Sequence, residues 1–313
     1  MKLLANAKLN LRLELVGRRR DGYHLLRMVN IELDLADSLT VAPQDAERPM
    51  EVYVNSLGIG CSAESAAAMV CPARSTVIKA VTAFNEEFHT GFSPTVTVEK
   101  RIPAQAGLGG GSADAAAMLR WCQATLESDR GTALSQSELE RLSARALSLG
   151  ADVPYALSGG CALVEGVGDL LRPLPWSVGG TPILLVIPSE GVATPKAFAR
   201  VRSVFPDLAE VEPRSPILPM LKAPGELVSN DLFAIVSSLV PAVAQTADSL
   251  REVVSNYAAH VPGGIGALGM TGSGSTLFLV PEQWGPSPGW HSAVAEVLHQ
   301  HAPSLTTIAT TIR

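Results

Sequence analysis

The segment that decides the fold is PAQAGLGGGSADAA, residues 103–116, which places four glycines within five positions. Before it, residues 95–100 alternate apolar and polar side chains, which predicts a strand. After it, apolar side chains between residues 115 and 126 recur at helical spacing, and Ser112 is predicted as the N-cap of that helix. The sequence therefore predicts a strand, a glycine-rich loop and a helix in direct succession.

A glycine-rich loop at the start of a helix is a typical anion-binding site. Unpaired backbone N–H groups and the positive end of the helix dipole point at one place, and glycines let a phosphate approach the backbone. The loop is not a Walker A motif, because Gly111 rather than a lysine precedes Ser112, and it is not a dinucleotide fingerprint, because Ser112 stands where the third glycine belongs. The alternative is a connector that packs closely on a neighbouring segment.

Two strands are predicted before this unit. Residues 9–16 and 29–35 alternate apolar and polar side chains with a period of two, which predicts half-buried strands. Between them, residues 17–24 are polar and contain the turn pair Asp21-Gly22, so we expect an exposed loop.

A second helix is predicted after the glycine-rich segment, and a second domain is predicted after that helix. Ser135 and Glu138 form the pattern of a capping box, and Gly150 stands at the expected helix end, just before Asp152. The domain junction is predicted near residues 161–171. Beyond it the patterns predict strands at residues 183–187, 276–280 and 305–312, and helices at residues 231–240, 242–257 and 291–299.

Composition excludes several classes of protein. The 313 residues include 24 Lys and Arg and 30 Asp and Glu, so the net charge of −6 argues against a general nucleic-acid binder. An apolar content of 47% is ample for two domains, and no apolar run reaches the length of a membrane span. The cysteines fit neither a metal site nor a disulfide framework, which predicts reduced thiols and a cytoplasmic protein. They are Cys61, Cys71, Cys122 and Cys161.

Several blocks together resemble the GHMP kinases, the family of galactokinase, homoserine kinase and mevalonate kinase. Besides the glycine-rich loop, these blocks are AKLNL (residues 7–11), GRRRDGYH (17–24), LGADVP (149–154) and GMTGSGS (269–275). The resemblance implies an α+β two-domain GHMP kinase fold with the active site in the cleft between the domains. The N-terminal α/β domain (1–163) would carry the phosphate loop, and the smaller α+β C-terminal domain would span residues 164–313.

The resemblance also implies catalytic and nucleotide-binding roles. Asp152 would be the general base that accepts the proton of the attacking hydroxyl, and Lys8 would orient that hydroxyl and stabilise developing charge. Without the motifs, an aspartate after a helix is usually a turn residue and a lysine on a strand is usually solvated. The ATP-binding residues would be Pro103, Ala104, Gln105, Ala106, Gly107, Leu108, Gly109, Gly110, Gly111, Ser112 and Ala113.

A second set of residues is implied for an acceptor that carries a cytosine. Tyr23 and Phe198 would stack on the pyrimidine, and His24 would read its edge with one donor and one acceptor. Asn10 and Thr194 match family positions near the same pocket. Phe198 could instead belong to the core, and Asp37, which also matches a family position, is interpreted as structural.

The implied activity is the ATP-dependent phosphorylation of the 2-hydroxyl of 4-(cytidine 5′-diphospho)-2-C-methyl-D-erythritol, in the non-mevalonate pathway to isoprenoid precursors. Mg²⁺ should accompany ATP, and no protein ligand for a metal is assigned. The alternatives are a kinase of the homoserine or mevalonate type, or a non-catalytic nucleotide or sugar sensor. We expect small-molecule substrates, no nucleic-acid or membrane partner, and a monomer or weak homodimer.

Overall fold

The computed structural model describes residues 1–42, 49–56, 75–204 and 216–313. By its internal contacts the chain divides into two compact units that alternate along the sequence. Unit 1 contains residues 1–8, 35–104 and 109–159, and unit 2 contains residues 9–34, 105–108 and 160–313. These units follow contact density, so the domain boundary between residues 163 and 164 stays a prediction.

The helices and strands have the following bounds. The strands are β1 (Lys2–Arg18), β2 (His24–Ala42), β3 (Glu51–Ser56), β4 (Thr95–Lys100), β5 (Ala162–Gly166), β6 (Leu170–Pro173), β7 (Pro182–Ile187), β8 (Ser229–Asn230), β9 (Ala267–Met270), β10 (Leu277–Val280) and β11 (Thr306–Thr311). The helices are α1 (Thr76–Phe88), α2 (Gly110–Arg130), α3 (Gln136–Leu149), α4 (Val153–Ser158), α5 (Thr194–Val204), α6 (Ile217–Met220), α7 (Pro224–Leu227), α8 (Phe233–Leu239), α9 (Pro241–Tyr257) and α10 (Trp290–His301).

Unit 1 is formed by helices on a small sheet. The second half of β2 pairs antiparallel with β4, and β4 pairs parallel with β3. The period of two in β4 buries Val96 and Val98, which meet the apolar faces of the helices. The core that results includes Leu39, Val81, Phe84, Val96, Val98, Met118, Leu119, Leu126 and Leu142.

Unit 2 contains a four-stranded antiparallel sheet in the order β11-β7-β10-β9. All of β10 and nearly all of β7 are buried, as expected of continuous apolar runs. In the same unit β8 pairs parallel with β1, and β5 pairs antiparallel with the first half of β2. The predicted α+β class is confirmed, and the predicted elements of the second half match the observed ones apart from small shifts at their ends.

The strand β1 is longer than residues 9–16, and it is buried on both faces. The prediction of a half-buried strand is therefore wrong. Its polar side chains tolerate burial because they pair: Arg12 Nε donates to Glu14 Oε1 at 2.8 Å, and Arg27 Nη1 donates to Glu14 Oε2 at 3.2 Å. Alternation of polar and apolar residues does not reveal whether the polar face finds water or protein partners.

Of the two predicted helix N-termini, one is confirmed and the other is wrong. The capping box of α3 is present, with the Ser135 side chain accepting from the Glu138 amide and the Glu138 carboxylate accepting from the Ser135 amide. Ser112, however, is not an N-cap. Helix α2 begins two residues earlier, at Gly110, and Gly109 in the left-handed conformation is its N-cap. Gly110 and Gly111 therefore belong to the first helical turn, whereas Gly107 and Gly109 remain in the loop before it.

None of the helices in the described residues is long and apolar enough to cross a membrane. Cys122 and Cys161 are free thiols, and burial raises the pKa of both, that of Cys161 to about 12. Thiols with raised pKa values are poor nucleophiles at neutral pH. Cys61 and Cys71 lie outside the described residues.

Candidate active site

Lys8 and Asp152 lie together in unit 1, as predicted. Lys8 Nζ is 3.6 Å from Asp152 Oδ2, and the side chain of Lys8 is 7% exposed whereas that of Asp152 is 34% exposed. The solvated-lysine alternative is therefore excluded. Asp152 precedes α4, and its side chain makes no capping hydrogen bond, so the carboxylate is not committed to holding the helix end.

The start of α2 packs directly on Lys8. Gly109 has φ +71°, and a Cβ at this position would lie 2.9 Å from Lys8 Cγ. A side chain here would both strain the backbone and displace the lysine. The first turn of this 21-residue helix, with its unpaired backbone N–H groups, thus begins beside the Lys8 side chain.

A buried charge cluster, which sequence reasoning missed, anchors the same turn. Lys100 Nζ donates to Asp114 Oδ2 at 2.7 Å and also to Asp37 Oδ2. Asp37 Oδ1 accepts from the amides of Arg101 and Ile102, at 2.6 and 2.9 Å, which supports its structural interpretation. The cluster thereby ties the end of β4 to α2. Its one sequence signal is an aspartate among the buried alanines of α2.

Two carboxylates share one ammonium in this cluster, which affects the protonation of Asp114. Burial raises the pKa of Asp114 to about 7, because the attraction of Lys100 does not offset desolvation and Asp37 adds repulsion. For Lys100, burial lowers the pKa, but the attraction of Asp114 and Asp37 outweighs burial and the net direction is upward. Asp114 therefore changes its charge near neutral pH, well above the usual range of an aspartate.

We expect Asp114→Asn to weaken the dependence of stability on pH. The folded-state pKa of Asp114 lies above its unfolded value, so the folded protein holds a proton that the unfolded chain releases. This contribution is present at acidic pH and is lost as the pH rises toward about 7. Urea unfolding at pH 5 to 8 should show a steeper decline in wild type than in the variant, and equal slopes would contradict this protonation.

Asn10 is held within unit 2 by hydrogen bonds to protein groups. Its Nδ2 donates to Asn30 Oδ1 at 2.6 Å, and its backbone amide donates to Thr271 Oγ1 at 3.0 Å. Asn10 is buried and lies on β1.

His24 and Phe198, two of the residues predicted for the acceptor pocket, lie close together in unit 2. Their ring centroids are 5.3 Å apart with an interplanar angle of 30°. Phe198 is half-buried and is absent from the buried core, so the core alternative is not supported. Tyr23, immediately before β2, is 66% exposed, so its ring is available to solvent.

Thr194 contacts the segment GMTGSGS, residues 269–275. Its hydroxyl lies 2.8 Å from that of Ser273. The same segment contacts Gly107 of the glycine-rich loop: a Cβ there would lie 2.5 Å from the Thr271 carbonyl oxygen and 2.9 Å from that of Gly274. Within unit 2, the last motif of the chain therefore touches both a predicted ATP-loop residue and a predicted acceptor residue.

Comparisons with known proteins agree with these motifs. The sequence model described as GHMP kinases N terminal domain matches residues 75–160. A 4-diphosphocytidyl-2-C-methyl-D-erythritol kinase of Polaromonas sp. is 36% identical over 281 residues, which cover 88% of this chain and 82% of the relative. One of the same name from Citrifermentans bemidjiense is 35% identical over 278 residues, which cover 89% and 88%.

Solved structures match over the whole chain. A crystal structure of 4-(cytidine 5′-diphospho)-2C-methyl-D-erythritol kinase matches with a TM-score of 0.70 at 28% identity, covering 100% of this chain and 99% of that one. The mevalonate kinase of Methanococcus jannaschii matches with a TM-score of 0.62 at 11% identity, covering 100% and 98%, which shows a shared fold. The chain belongs to the GHMP kinase family, together with relatives named 4-diphosphocytidyl-2-C-methyl-D-erythritol kinase.

Proposed function

We propose that this protein transfers the γ-phosphoryl group of ATP to the 2-hydroxyl of 4-(cytidine 5′-diphospho)-2-C-methyl-D-erythritol, in the non-mevalonate pathway to isoprenoid precursors. The observation that carries the proposal is the buried Lys8 within 3.6 Å of the Asp152 carboxylate, beside the N-terminus of α2. The names of the relatives supply the acceptor.

The reaction needs a proton acceptor, a positive charge and N–H donors around the transferred group. Asp152 takes the proton of the 2-hydroxyl while the oxygen of that hydroxyl bonds to the γ-phosphorus of ATP. At the same time the bond between the γ-phosphorus and the β,γ-bridging oxygen breaks, and ADP is released. Lys8 orients the hydroxyl and balances charge on the phosphoryl oxygens. The greater exposure of Asp152 leaves room for the hydroxyl beside it.

The ATP phosphates would lie on residues 103–113, against the N–H groups at the start of α2. Mg²⁺ binds nucleotide phosphates and keeps much of its water, so we expect it to arrive with ATP and to neutralise the β- and γ-phosphates. Within the described ranges, no group of three or more His, Cys, Asp or Glu side chains could hold a metal ion.

The cytidine end of the acceptor would bind near His24 and Phe198, whose rings already pair. Tyr23 would close on the other face of the cytosine.

We also propose that the protein works in the cytoplasm on small molecules alone, without nucleic-acid or membrane partners, as a monomer or weak homodimer. Sedimentation at micromolar concentration tests the last point.

The experiment that tests the function is a coupled ADP-release assay with a panel of acceptors. The cytidylyl substrate should give turnover, whereas homoserine and mevalonate should not. Turnover on either of these without turnover on the cytidylyl substrate would refute the proposed acceptor. Failure on all acceptors, with nucleotide binding intact, would favour the sensor.

Tyr23→Ala should raise the KM for the cytidylyl acceptor about tenfold, the size of one lost base-stacking contact, and leave the KM for ATP nearly unchanged. Tyr53→Ala is the matched control, because this tyrosine is also exposed, at 54%, but lies on β3 with its hydroxyl on Glu51. Initial-rate kinetics of both variants decide the matter. Equal changes in the two KM values of the Tyr23 variant would argue against the cytosine pocket.

A further inference from the structure

The proposed function assigns no role to Asn230, although hydrogen bonds in unit 2 fix the position of its side chain. It belongs to β8, which pairs parallel with β1 and places Asn230 opposite Leu13. Its side-chain Oδ1 accepts from the Leu232 amide at 2.8 Å, and the neighbouring Asp231 amide donates to the Leu13 carbonyl at 3.0 Å. The hydrogen bond to Oδ1 and the pairing of β8 with β1 together fix the orientation of the Asn230 side chain. The direction of its Nδ2 group is therefore defined.

That Nδ2 group donates twice to the GMTGSGS segment. It lies 2.7 Å from the Met270 carbonyl oxygen and 2.9 Å from that of Gly272. The two carbonyls flank Thr271, so one side chain fixes the backbone on both sides of this residue. Both N–H donors of the amide are thereby used, an arrangement that a carboxylate cannot reproduce.

Thr271, whose backbone is held on both sides by these two hydrogen bonds from Asn230, contacts two segments that are predicted to bind substrates. Its Oγ1 accepts from the Asn10 amide at 3.0 Å and lies 3.4 Å from the Gly107 carbonyl oxygen. Its own carbonyl oxygen lies where a side chain on Gly107 would be. A shift of the Thr271 backbone would therefore move a residue assigned to the acceptor and a residue assigned to ATP.

We infer that Asn230 is a positioning residue of the kinase site, which sets Thr271 and through it Asn10 and the Gly107 end of the phosphate loop. The inference rests on the proposed function for the meaning of its kinetic readout. It does not depend on that function for the structural chain from Asn230 to Gly107, which nucleotide binding reports by itself.

The chain offers a matched control for a test. Asn85, in unit 1, is half-buried like Asn230, and it also clamps a short segment. Its Nδ2 donates to the Phe92 carbonyl at 2.8 Å, and its Oδ1 accepts from Thr90 Oγ1 at 2.7 Å and the Phe92 amide at 3.1 Å. None of these contacts involves a residue assigned to ATP or the acceptor, so the same substitution there removes an amide clamp without touching the site.

The experiment compares Asn230→Asp with Asn85→Asp. We expect similar losses of Tm, whereas only the Asn230 variant should raise the KM values for ATP and acceptor, by about tenfold for the loss of one to two hydrogen bonds. It should also bind a non-hydrolysable ATP analogue about tenfold more weakly in calorimetry, and its Asn10 amide should exchange with solvent faster.

Each outcome decides the inference. A lower Tm for Asn230→Asp with wild-type KM values and wild-type analogue binding would overturn it, as would equal kinetic changes in the Asn85 variant. If an aspartate variant does not fold, Asn230→Ser and Asn85→Ser are compared by the same criteria. If wild type turns over no acceptor, the proposed function fails, but analogue binding and amide exchange still test the role of Asn230.

Discussion

Asp152→Asn should lower kcat by about 10²- to 10⁴-fold, the usual contribution of a general base, because the amide cannot accept the proton of the acceptor hydroxyl. The fold should tolerate the change, since the Asp152 side chain makes no capping hydrogen bond and asparagine is itself a good N-cap. Affinity for ATP should stay near wild type. Initial rates, nucleotide calorimetry and Tm, measured on the same preparation, separate these effects.

Asp129→Asn is the matched control, because this aspartate is exposed in the last turn of α2. It should behave as wild type in all three measurements. Loss of nucleotide binding in Asp152→Asn would mean that the carboxylate supports the structure rather than the chemistry. A kcat within a factor of about three of wild type would rule Asp152 out as the general base.

Gly109→Ala should reduce kcat/KM by about 10²-fold, the penalty for a misplaced catalytic group. The added Cβ would lie 2.9 Å from Lys8 Cγ, so the Lys8 side chain must shift from its present position, in which its Nζ is 3.6 Å from Asp152 Oδ2. The positive φ adds backbone strain of about 1–3 kcal/mol. Activity and stability should therefore both fall.

Gly131→Ala separates the two effects. Gly131 has φ +69°, close to that of Gly109, but a Cβ there would meet nothing within 4 Å. Chemical denaturation should show similar destabilisation in the two variants, whereas kcat/KM should fall only for Gly109→Ala. Comparable activity losses would mean that strain alone, and not contact with Lys8, explains the effect.

Much of the site is predictable because its residues lie in contiguous motifs. Lys8, Asp152, His24 and Phe198 each come from a short block of sequence. Lys8 lies beside Asp152, and the His24 ring lies near that of Phe198. The order of strand, loop and helix around Gly109 can also be predicted from the sequence, because periodicity and glycine clusters are local signals.

The remaining parts depend on partners that are distant in sequence. Lys100 meets Asp37 across 63 residues, and Asn230 meets Met270 across 40, and neither pairing has a local pattern. The polar face of β1 is misread in part for the same reason, because Arg12 donates to the distant Leu227 carbonyl as well as to the neighbouring Glu14. Ser112 is misplaced as a cap because glycine, which is tolerated at helix starts, begins the helix earlier.

The central claim is that the protein phosphorylates one hydroxyl of a cytidylyl acceptor, and phosphorus NMR of the complete reaction tests it most directly. With ATP, Mg²⁺ and 4-(cytidine 5′-diphospho)-2-C-methyl-D-erythritol, a new phosphomonoester resonance should appear in equal amount with ADP, coupled to carbon 2 of the acceptor. Formation of ADP with inorganic phosphate alone, or no change in any resonance at an enzyme concentration that binds ATP, would contradict the account.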